Sequence, residues 1–119
     1  MDRRIQLIIS KIETETSTAW DAATLAELVS LSPSRFRHLF KQETGISPAQ
    51  YLKDYRLRKA ELMLRTTFLS VKQILKQVGL RSNSHFVHDF RKIYGVTPTA
   101  YRRAFWRAVK ARKSRKKKH

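Results

Sequence analysis

The chain contains an internal repeat, and no other feature of the sequence constrains its fold as strongly. Residues 35–51 read RFRHLFKQETGISPAQY, and residues 85–101 read HFVHDFRKIYGVTPTAY. At an offset of 50 residues, six positions are identical in the two copies: Phe36/Phe86, His38/His88, Phe40/Phe90, Gly45/Gly95, Pro48/Pro98 and Tyr51/Tyr101. The fold must therefore contain one pattern of local structure twice in a chain of 119 residues.

The few glycine and proline residues predict an all-α fold. Each of the three prolines follows Ser or Thr, which is typical of an N-cap hydroxyl before the first residue of a helix. The three glycines, at positions 45, 79 and 95, each follow a helical pattern and suit the left-handed residue that ends a helix. No sustained period-two alternation indicates a strand. We predict about seven helices, at residues 3–15, 22–30, 33–44, 48–65, 71–78, 83–94 and from 98 into a basic tail.

The charge of the chain indicates a polyanionic partner. There are 26 Lys and Arg residues against 9 Asp and Glu residues, which gives a net charge of +17. The tail from Arg107 onward carries eight of these positive charges and no acid, so removing it from +17 leaves +9 on residues 1–106. The body is basic without its tail, and nucleic acid is the usual partner of such a protein. A block of like charge such as this tail is usually disordered by itself. Two roles of the tail remain open: it adds non-specific affinity for DNA, or it has no role.

Several classes of protein are disfavoured by the sequence. The absence of Cys excludes disulfides and thiol chemistry, and no apolar run reaches the roughly 18 residues of a membrane span. We find no Ser-His-Asp set, metal cluster or glycine-rich phosphate loop, so we expect neither an enzyme nor a cofactor. His85 and His88 could share a metal, but no Cys or carboxylate is placed to complete a site. We expect a cytoplasmic, nucleoid-associated protein that does not bind membranes.

The helices predicted at 33–44 and 83–94 each have an apolar and a polar face. At about 100° per residue, the following residues face inward: Phe36, Leu39, Phe40 and Glu43 in the first helix, and Phe86, Phe90 and Ile93 in the second. The following residues face outward: Ser34, Arg37, His38 and Lys41 in the first helix, and Ser84, Val87, His88 and Arg91 in the second. Each helix follows a short helix and a tight turn, which is the layout of a helix-turn-helix. Such a polar face is about as wide as a DNA major groove.

The starts of four helices are natural sites for phosphate groups, because backbone N–H groups point outward there. These starts are at Ser32, Ser47, Ser82 and Thr97. Lys41 and Arg91 lie nearer the ends of their helices, so we expect them to contact phosphate rather than bases. The aromatic residues of the repeat could instead stack on single-stranded bases, but their helical spacing favours a core.

The run from Leu25 to Tyr101 resembles the DNA-binding domain of the AraC/XylS family of transcription regulators. The resemblance covers LAELVSLSPSRFRHLFKQETGISPAQYL, the linker RLRKAELML, and SVKQILKQVGLRSNSHFVHDFRKIYGVTPTAYRR. It implies two helix-turn-helix subdomains joined by a long linker helix, with two recognition helices that enter adjacent major grooves. Carried over by alignment, the expected base-contacting residues are Ser34, Arg37 and His38 in the first unit and Asn83, Ser84, His85, Val87 and His88 in the second.

The resemblance also implies an organisation and a function. We expect an N-terminal subdomain at 1–46, a linker helix at 47–66, a C-terminal subdomain at 67–106 and a basic tail at 107–119. The expected function is sequence-specific binding of double-stranded DNA by a monomer, as a transcription regulator, with activation the usual role in the family and RNA polymerase a candidate partner. The chain is either a stand-alone regulator of the MarA and SoxS type or the C-terminal domain of a longer one. The alternative is a non-specific nucleic-acid-binding protein, of nucleoid or RNA-binding type.

Overall fold

The computed structural model describes the backbone of residues 1–117 and the side chains of residues 1–114, and over this range it contains seven helices and no strand. The predicted all-α class is therefore confirmed. The helices are α1 (Arg3–Thr14), α2 (Ala22–Leu28), α3 (Pro33–Thr44), α4 (Pro48–Thr66), α5 (Val71–Val78), α6 (Asn83–Tyr94) and α7 (Pro98–Lys117). Lys118 and His119, the last residues of the predicted basic tail, lie outside the described residues.

Side-chain caps set the starts of these helices. Asp21 and Thr24 form a reciprocal capping box at α2, and Ser70 and Gln73 form one at α5. In each box the cap side chain accepts from a backbone N–H three residues on, and that residue's side chain accepts from the cap's own N–H. The ends of α3 and α6 are equally well defined. Gly45 ends α3 and Gly95 ends α6, and both take the left-handed conformation, with φ of 86° and 82°.

The chain divides into two compact units, Met1–Arg56 and a second that begins at Leu57. In the first unit, α1, α2 and α3 surround one core together with the start of α4. Its fully or almost fully buried residues are Ile5, Ile8, Ile12, Leu25, Ala26, Phe36, Phe40 and Leu52. The guanidinium of Arg56 donates to the carbonyl oxygens of Thr16 and Thr18, at 3.1 and 2.7 Å, and so fastens the loop between α1 and α2 to α4.

The second unit has a core of its own, formed by the end of α4 and by α5, α6 and α7. Its buried residues are Leu57, Ala60, Leu64, Ile74, Leu75, Val78, Phe86 and Phe90. Ile93 was expected to face inward, but this prediction is wrong because 58% of its surface is exposed. At that end of α6 the core is filled instead by Tyr94, whose ring lies 4.4 Å from Phe90 and 5.4 Å from Tyr101.

Helix α7 is longer than the sequence suggested. We expected it to fade into the basic tail, but it is helical from Pro98 to Lys117. Arg, Lys and Ala make up most of its last turns, and all three are strong helix formers. Neither Gly nor Pro interrupts the segment after Pro98. Intrinsic helix propensity is therefore enough to continue α7 beyond the part that packs on the core.

Candidate nucleic-acid interface

Two turns of the same geometry introduce α3 and α6. In the first, Leu31 N–H donates to Ala26 O at 3.0 Å, and Ser30 has a φ of 57°. In the second, Leu80 N–H donates to the carbonyl oxygen of Leu75 at 2.9 Å, and Gly79 has a φ of 83°. A backbone bond that spans five residues and a left-handed residue just before its donor form a Schellman-type helix end. Each unit therefore contains a helix, a tight turn and a second helix.

The inner face of α3 is fixed by two phenylalanines. Phe36 and Phe40 have no exposed surface, and their ring centroids are 5.8 Å apart. Tyr51 of α4 packs edge-on against Phe40, with ring centroids 5.5 Å apart and ring planes at 79°. Since the inner face is locked in this way, the orientation of the opposite face of α3 is fixed as well.

The outer face of α3 brings together the four residues that the sequence predicted for it. Ser34, Arg37, His38 and Lys41 are all exposed. Within residues 1–117, none of their side chains has a recorded hydrogen bond or ion pair. Their spacing places them within about 100° of one another around the helix axis. The face is a continuous strip of hydrogen-bond donors that nothing in the first unit occupies.

Helix α6 repeats the arrangement with different outward residues. Phe86 and Phe90 anchor it, with centroids 5.7 Å apart, and Tyr101 of α7 packs edge-on against Phe90 at 5.3 Å. One strip of the outer face carries Ser84, Val87, His88 and Arg91, of which Val87 is half-buried and the other three are exposed. Among the described residues, no side-chain hydrogen bond or ion pair engages this strip.

Two other predicted site residues do not join this strip. Asn83 and His85 are exposed in the first turn of α6, and each lies about 100° to one side of Ser84. They flank the strip rather than extend it. The sequence list therefore describes a band across the first turn together with a strip along the helix.

The four helix-start hydroxyls already act as N-caps. Ser32, Ser47, Ser82 and Thr97 each accept from the backbone N–H three residues on, at 3.1–3.2 Å. Each hydroxyl keeps its own proton for donation to another group. Where Pro follows the cap, the first helical residue has no N–H group and the third donates to the cap hydroxyl. Only the N–H group of the second helical residue is then free in the first turn. Helix α6 starts with Asn83 instead and offers two free N–H groups, so its start is the richest in donors.

Sequence reasoning missed three residues of the second unit that make its internal polar contacts: Glu61, Arg65 and Arg102. Glu61, 9% exposed, accepts from the Tyr101 hydroxyl at 3.2 Å and pairs with Arg65. Burial, followed by the charge of Glu61, raises the pKa of Tyr101. Arg102 donates to the carbonyl oxygens of Leu64 and Thr67 at 3.0 and 3.1 Å, and also to that of Leu69. Glu61 could have been noticed, because it interrupts the apolar stripe of α4, whereas Arg102 carried no such signal.

Other kinds of site are not indicated by the described residues. No group of three or more His, Asp or Glu side chains in residues 1–117 is arranged to hold a metal ion. None of the described helices is both long and apolar enough to cross a membrane. Among the described residues, the outer face of α3 is the candidate interface of the first unit and that of α6 the candidate interface of the second.

A family model and several curated transcription regulators match most of this chain. The family model described as a helix-turn-helix domain matches residues 25–104. The arabinose operon regulatory protein of Escherichia coli is 34% identical over 103 residues, which are 86% of this chain and 35% of that protein. The transcriptional activator RhaR of Mannheimia succiniciproducens is 32% identical over 102 residues, which are 86% of this chain and 37% of that protein. The chain thus spans about a third of the length of the curated relatives it matches.

A solved structure extends the comparison to the fold. The DNA-binding domain of AdpA, a global transcriptional factor, has been solved in complex with a target DNA. It superposes with a TM-score of 0.82 at 28% identity, over 87% of this chain and 94% of that one. These relatives are regulators rather than enzymes, as we expected of this chain. The chain belongs to the AraC-type family of helix-turn-helix, DNA-binding transcription regulators.

Proposed function

We propose that the chain binds specific sequences of double-stranded DNA by inserting α3 and α6 into adjacent major grooves. The observation that carries the proposal is the pair of outer faces, both exposed and both without internal partners, on helices that phenylalanine pairs anchor from behind. The major groove admits an α-helix and displays a distinct pattern of donors and acceptors for each base pair. Side chains without internal partners, on helices whose inner faces are packed, are suited to reading that pattern.

In this proposal the two helices read different bases. Arg37 suits the O6 and N7 acceptors of guanine, whereas Val87 offers only apolar contact, for example with a thymine methyl group. The proposed base contacts are Ser34, Arg37, His38, Asn83, Ser84, His85, Val87 and His88. The proposed phosphate contacts are Ser32, Lys41, Ser47, Ser82, Arg91 and Thr97. Two different recognition helices in one chain suit an asymmetric DNA site that a monomer binds. The two major-groove segments of such a site would lie one helical turn, about 34 Å, apart.

The organisation of the chain follows from the same proposal. Residues 1–46 and 67–106 form the two DNA-reading subdomains, residues 47–66 connect them, and the tail at 107–119 adds affinity for any sequence. Neutralising phosphate with Lys and Arg releases counterions, so this part of the affinity falls steeply as salt rises. The body of residues 1–106 supplies +9 of the +17 net charge, so the same electrostatic term acts there too.

The regulatory role is proposed from the relatives. The RhaR relative is named as a transcriptional activator, and we propose the same sign of regulation here, with RNA polymerase as the partner. Activation would take place at the nucleoid, in the cytoplasm. A reporter gene placed behind a bound site tests the sign directly: expression should rise when the chain is present, and a fall would identify a repressor.

Specific binding must be distinguished from non-specific attraction between a basic protein and nucleic acid. We would measure fluorescence anisotropy with a panel of labelled duplexes of different sequence and with the matching single strands, at one fixed salt concentration. The proposal expects a wide spread of affinities among the duplexes and weaker binding to single strands. Equal affinity for every duplex and single strand would support the alternative, a non-specific nucleoid-type or RNA-binding protein.

A further inference from the structure

An apolar groove lies in the second unit beside α7. Thr67 and Phe68 form one wall, and Thr99, Arg102, Arg103 and Trp106 form the other. Phe68 is 90% exposed, and the centroid of its ring lies 5.0 Å from that of Trp106. A single exposed apolar residue is ordinary, but two aromatic rings that line a groove together are typical of an interaction site.

The groove is held in shape by hydrogen bonds on both sides of Phe68. Arg102 donates to the carbonyl oxygens of Thr67 and Leu69, the residues directly before and after it. The indole N–H of Trp106 donates to Leu64 O at 3.4 Å. The segment that carries Phe68 is therefore fastened to α7 before any partner arrives. Binding to a preformed groove loses less conformational entropy than binding to a mobile one.

Positive charge continues the groove along α7. Arg103, Lys110 and Lys113 lie on the same side of the helix as Trp106, because they are three, four and seven residues from it. All three are exposed, and among the described side chains of residues 1–114 none of them makes a hydrogen bond or an ion pair. The groove therefore combines an apolar pair at one end with a row of cations that leads away from it.

This groove faces away from the proposed DNA-reading strip of α6. Tyr101 turns toward α6 and packs against Phe90, on the inner face of that helix. On α7, Arg103 and Trp106 are rotated by about 200° and 140° from Tyr101. The outer face of α6 lies on the far side of Phe90. A partner in the groove would thus leave Ser84, Val87 and His88 accessible.

We propose that this groove is a docking site for an acidic, amphipathic segment of a partner protein. Apolar side chains of the segment would pack against the rings of Phe68 and Trp106, and its carboxylates would pair with Arg103. A second copy of the chain fits poorly, because it would bring another strongly positive surface against the first. Duplex DNA also fits poorly, because phosphates gain nothing from Phe68. The inference rests on the proposed function only in that the partner binds while DNA occupies α3 and α6.

A labelled synthetic peptide in which Leu and Phe alternate with Glu tests the proposal by anisotropy. The control peptide has Ser in place of Leu and Phe. Phe68→Ser should weaken binding of the first peptide about tenfold or more. Val96→Ser is the matched control, since Val96 is an exposed apolar residue of the same unit that does not line the groove. It should change the affinity less than about twofold.

Charge reversal supplies the second test. Arg103→Glu should weaken peptide binding several-fold, whereas Arg112→Glu, about 180° away on α7, should not. Prior saturation with a bound duplex should leave the peptide affinity unchanged. The proposal would be overturned by equal binding of both peptides, by equal effects of the two charge reversals, or by displacement of the peptide by the duplex.

Sedimentation tests whether a second copy of the chain occupies the groove instead. If the chain self-associates and Phe68→Ser abolishes the self-association, the groove binds a second copy and the proposal is wrong. Duplex affinity is measured separately, so failure of DNA binding is distinguishable from failure of the groove.

Discussion

Ser30 and Gly79 occupy the same place in the two helix-turn-helix units, and both have positive φ, 57° and 83° respectively. Each residue directly precedes the N–H donor of the bond that closes its turn, Leu31 in the first unit and Leu80 in the second. The left-handed conformation costs a non-glycine residue about 1–2 kcal/mol, and glycine adopts it without that strain. The first unit therefore makes its turn at a cost that the second avoids.

Reciprocal substitutions at these two turns should have opposite effects on stability. Ser30→Gly should raise the free energy of unfolding by about 0.5–1 kcal/mol, because it removes the strain while adding some backbone freedom to the unfolded chain. Gly79→Ser should lower it by about 1 kcal/mol or more. Urea denaturation measures both, and each variant controls for the other. A change of the same sign in both would contradict this view of the turns.

Removing the Arg102 side chain should destabilise the second unit. The carbonyl oxygens of Leu64, Thr67 and Leu69 would lose a charged donor, and such losses cost about 2–3 kcal/mol. Arg102→Lys should fall between the wild type and Arg102→Ala, because an ammonium group cannot reach all three carbonyls with the geometry of a guanidinium. Urea denaturation followed by Trp106 fluorescence, in a Trp20→Phe background, would report on the second unit.

The neighbouring residue provides the control for Arg102. Arg103 is exposed, and its side chain has no recorded hydrogen bond or ion pair within residues 1–117, so Arg103→Ala should change the free energy of unfolding by less than about 0.5 kcal/mol. Loss of equal stability in both variants would show that general charge, rather than the carbonyl contacts, explains the effect.

Stability should fall in alkaline solution because of Tyr101. Burial, followed by the charge of Glu61, raises the pKa of Tyr101 above its ordinary value of 10.0. The folded state then holds the phenol proton more tightly than the unfolded state, so this contribution is complete below pH 10 and is lost as the pH rises further. Tyr101→Phe should show a shallower fall in the free energy of unfolding above about pH 10.

The same substitution has a second expected effect at neutral pH. It removes the hydrogen bond to Glu61, so the free energy of unfolding at pH 7 should drop by about 1 kcal/mol. Some alkaline dependence should remain, because the pKa of Tyr94 is also raised, mainly by burial. Identical alkaline slopes in Tyr101→Phe and the wild type would exclude Tyr101 as a source of the pH dependence.

Arg37 and Lys41 should differ in how they contribute to DNA binding. Arg37→Ala should cost about 1–3 kcal/mol on a preferred duplex and relax selectivity at one base position. Lys41→Ala should weaken all duplexes about equally and lower the slope of log affinity against log salt by about 1. The two alanine variants serve as controls for each other in competition binding. If Arg37→Ala also weakens every duplex equally, Arg37 contacts phosphate rather than a base.

The bounds of α5 and α6 could be predicted because local signals define both of their ends. Ser70 and Ser82 start these helices, and Gly79 and Gly95 end them. The end of α7 could not be placed, because no residue near it acts as a stop signal. Ile93 was placed inward by periodicity alone, which does not show where a core ends. Local sequence thus fixes helices more reliably than it fixes their burial.

The candidate interface was also predictable only in part, because local patterns revealed its outward faces but not the long-range contacts within each unit. Periodicity identified the outward strips of α3 and α6, since a phenylalanine pair marks the opposite face of each helix. Two arginine contacts that hold loops in place within the units were not predictable. Arg56 and Arg102 donate to carbonyl oxygens more than thirty residues away, and a backbone carbonyl has no side-chain identity for a pattern to reveal. Which outward residues contact bases stays a prediction.

Selection of bound sequences from a random duplex library tests the central claim most directly, because it reports sequence preference and spacing together. The account predicts an asymmetric consensus with two preferred segments about one helical turn apart, and loss of preference within one segment only for Arg37→Ala. A pool that shows no enriched sequence after selection, or one short segment that Arg37→Ala leaves unchanged, would contradict the claim that α3 and α6 read DNA.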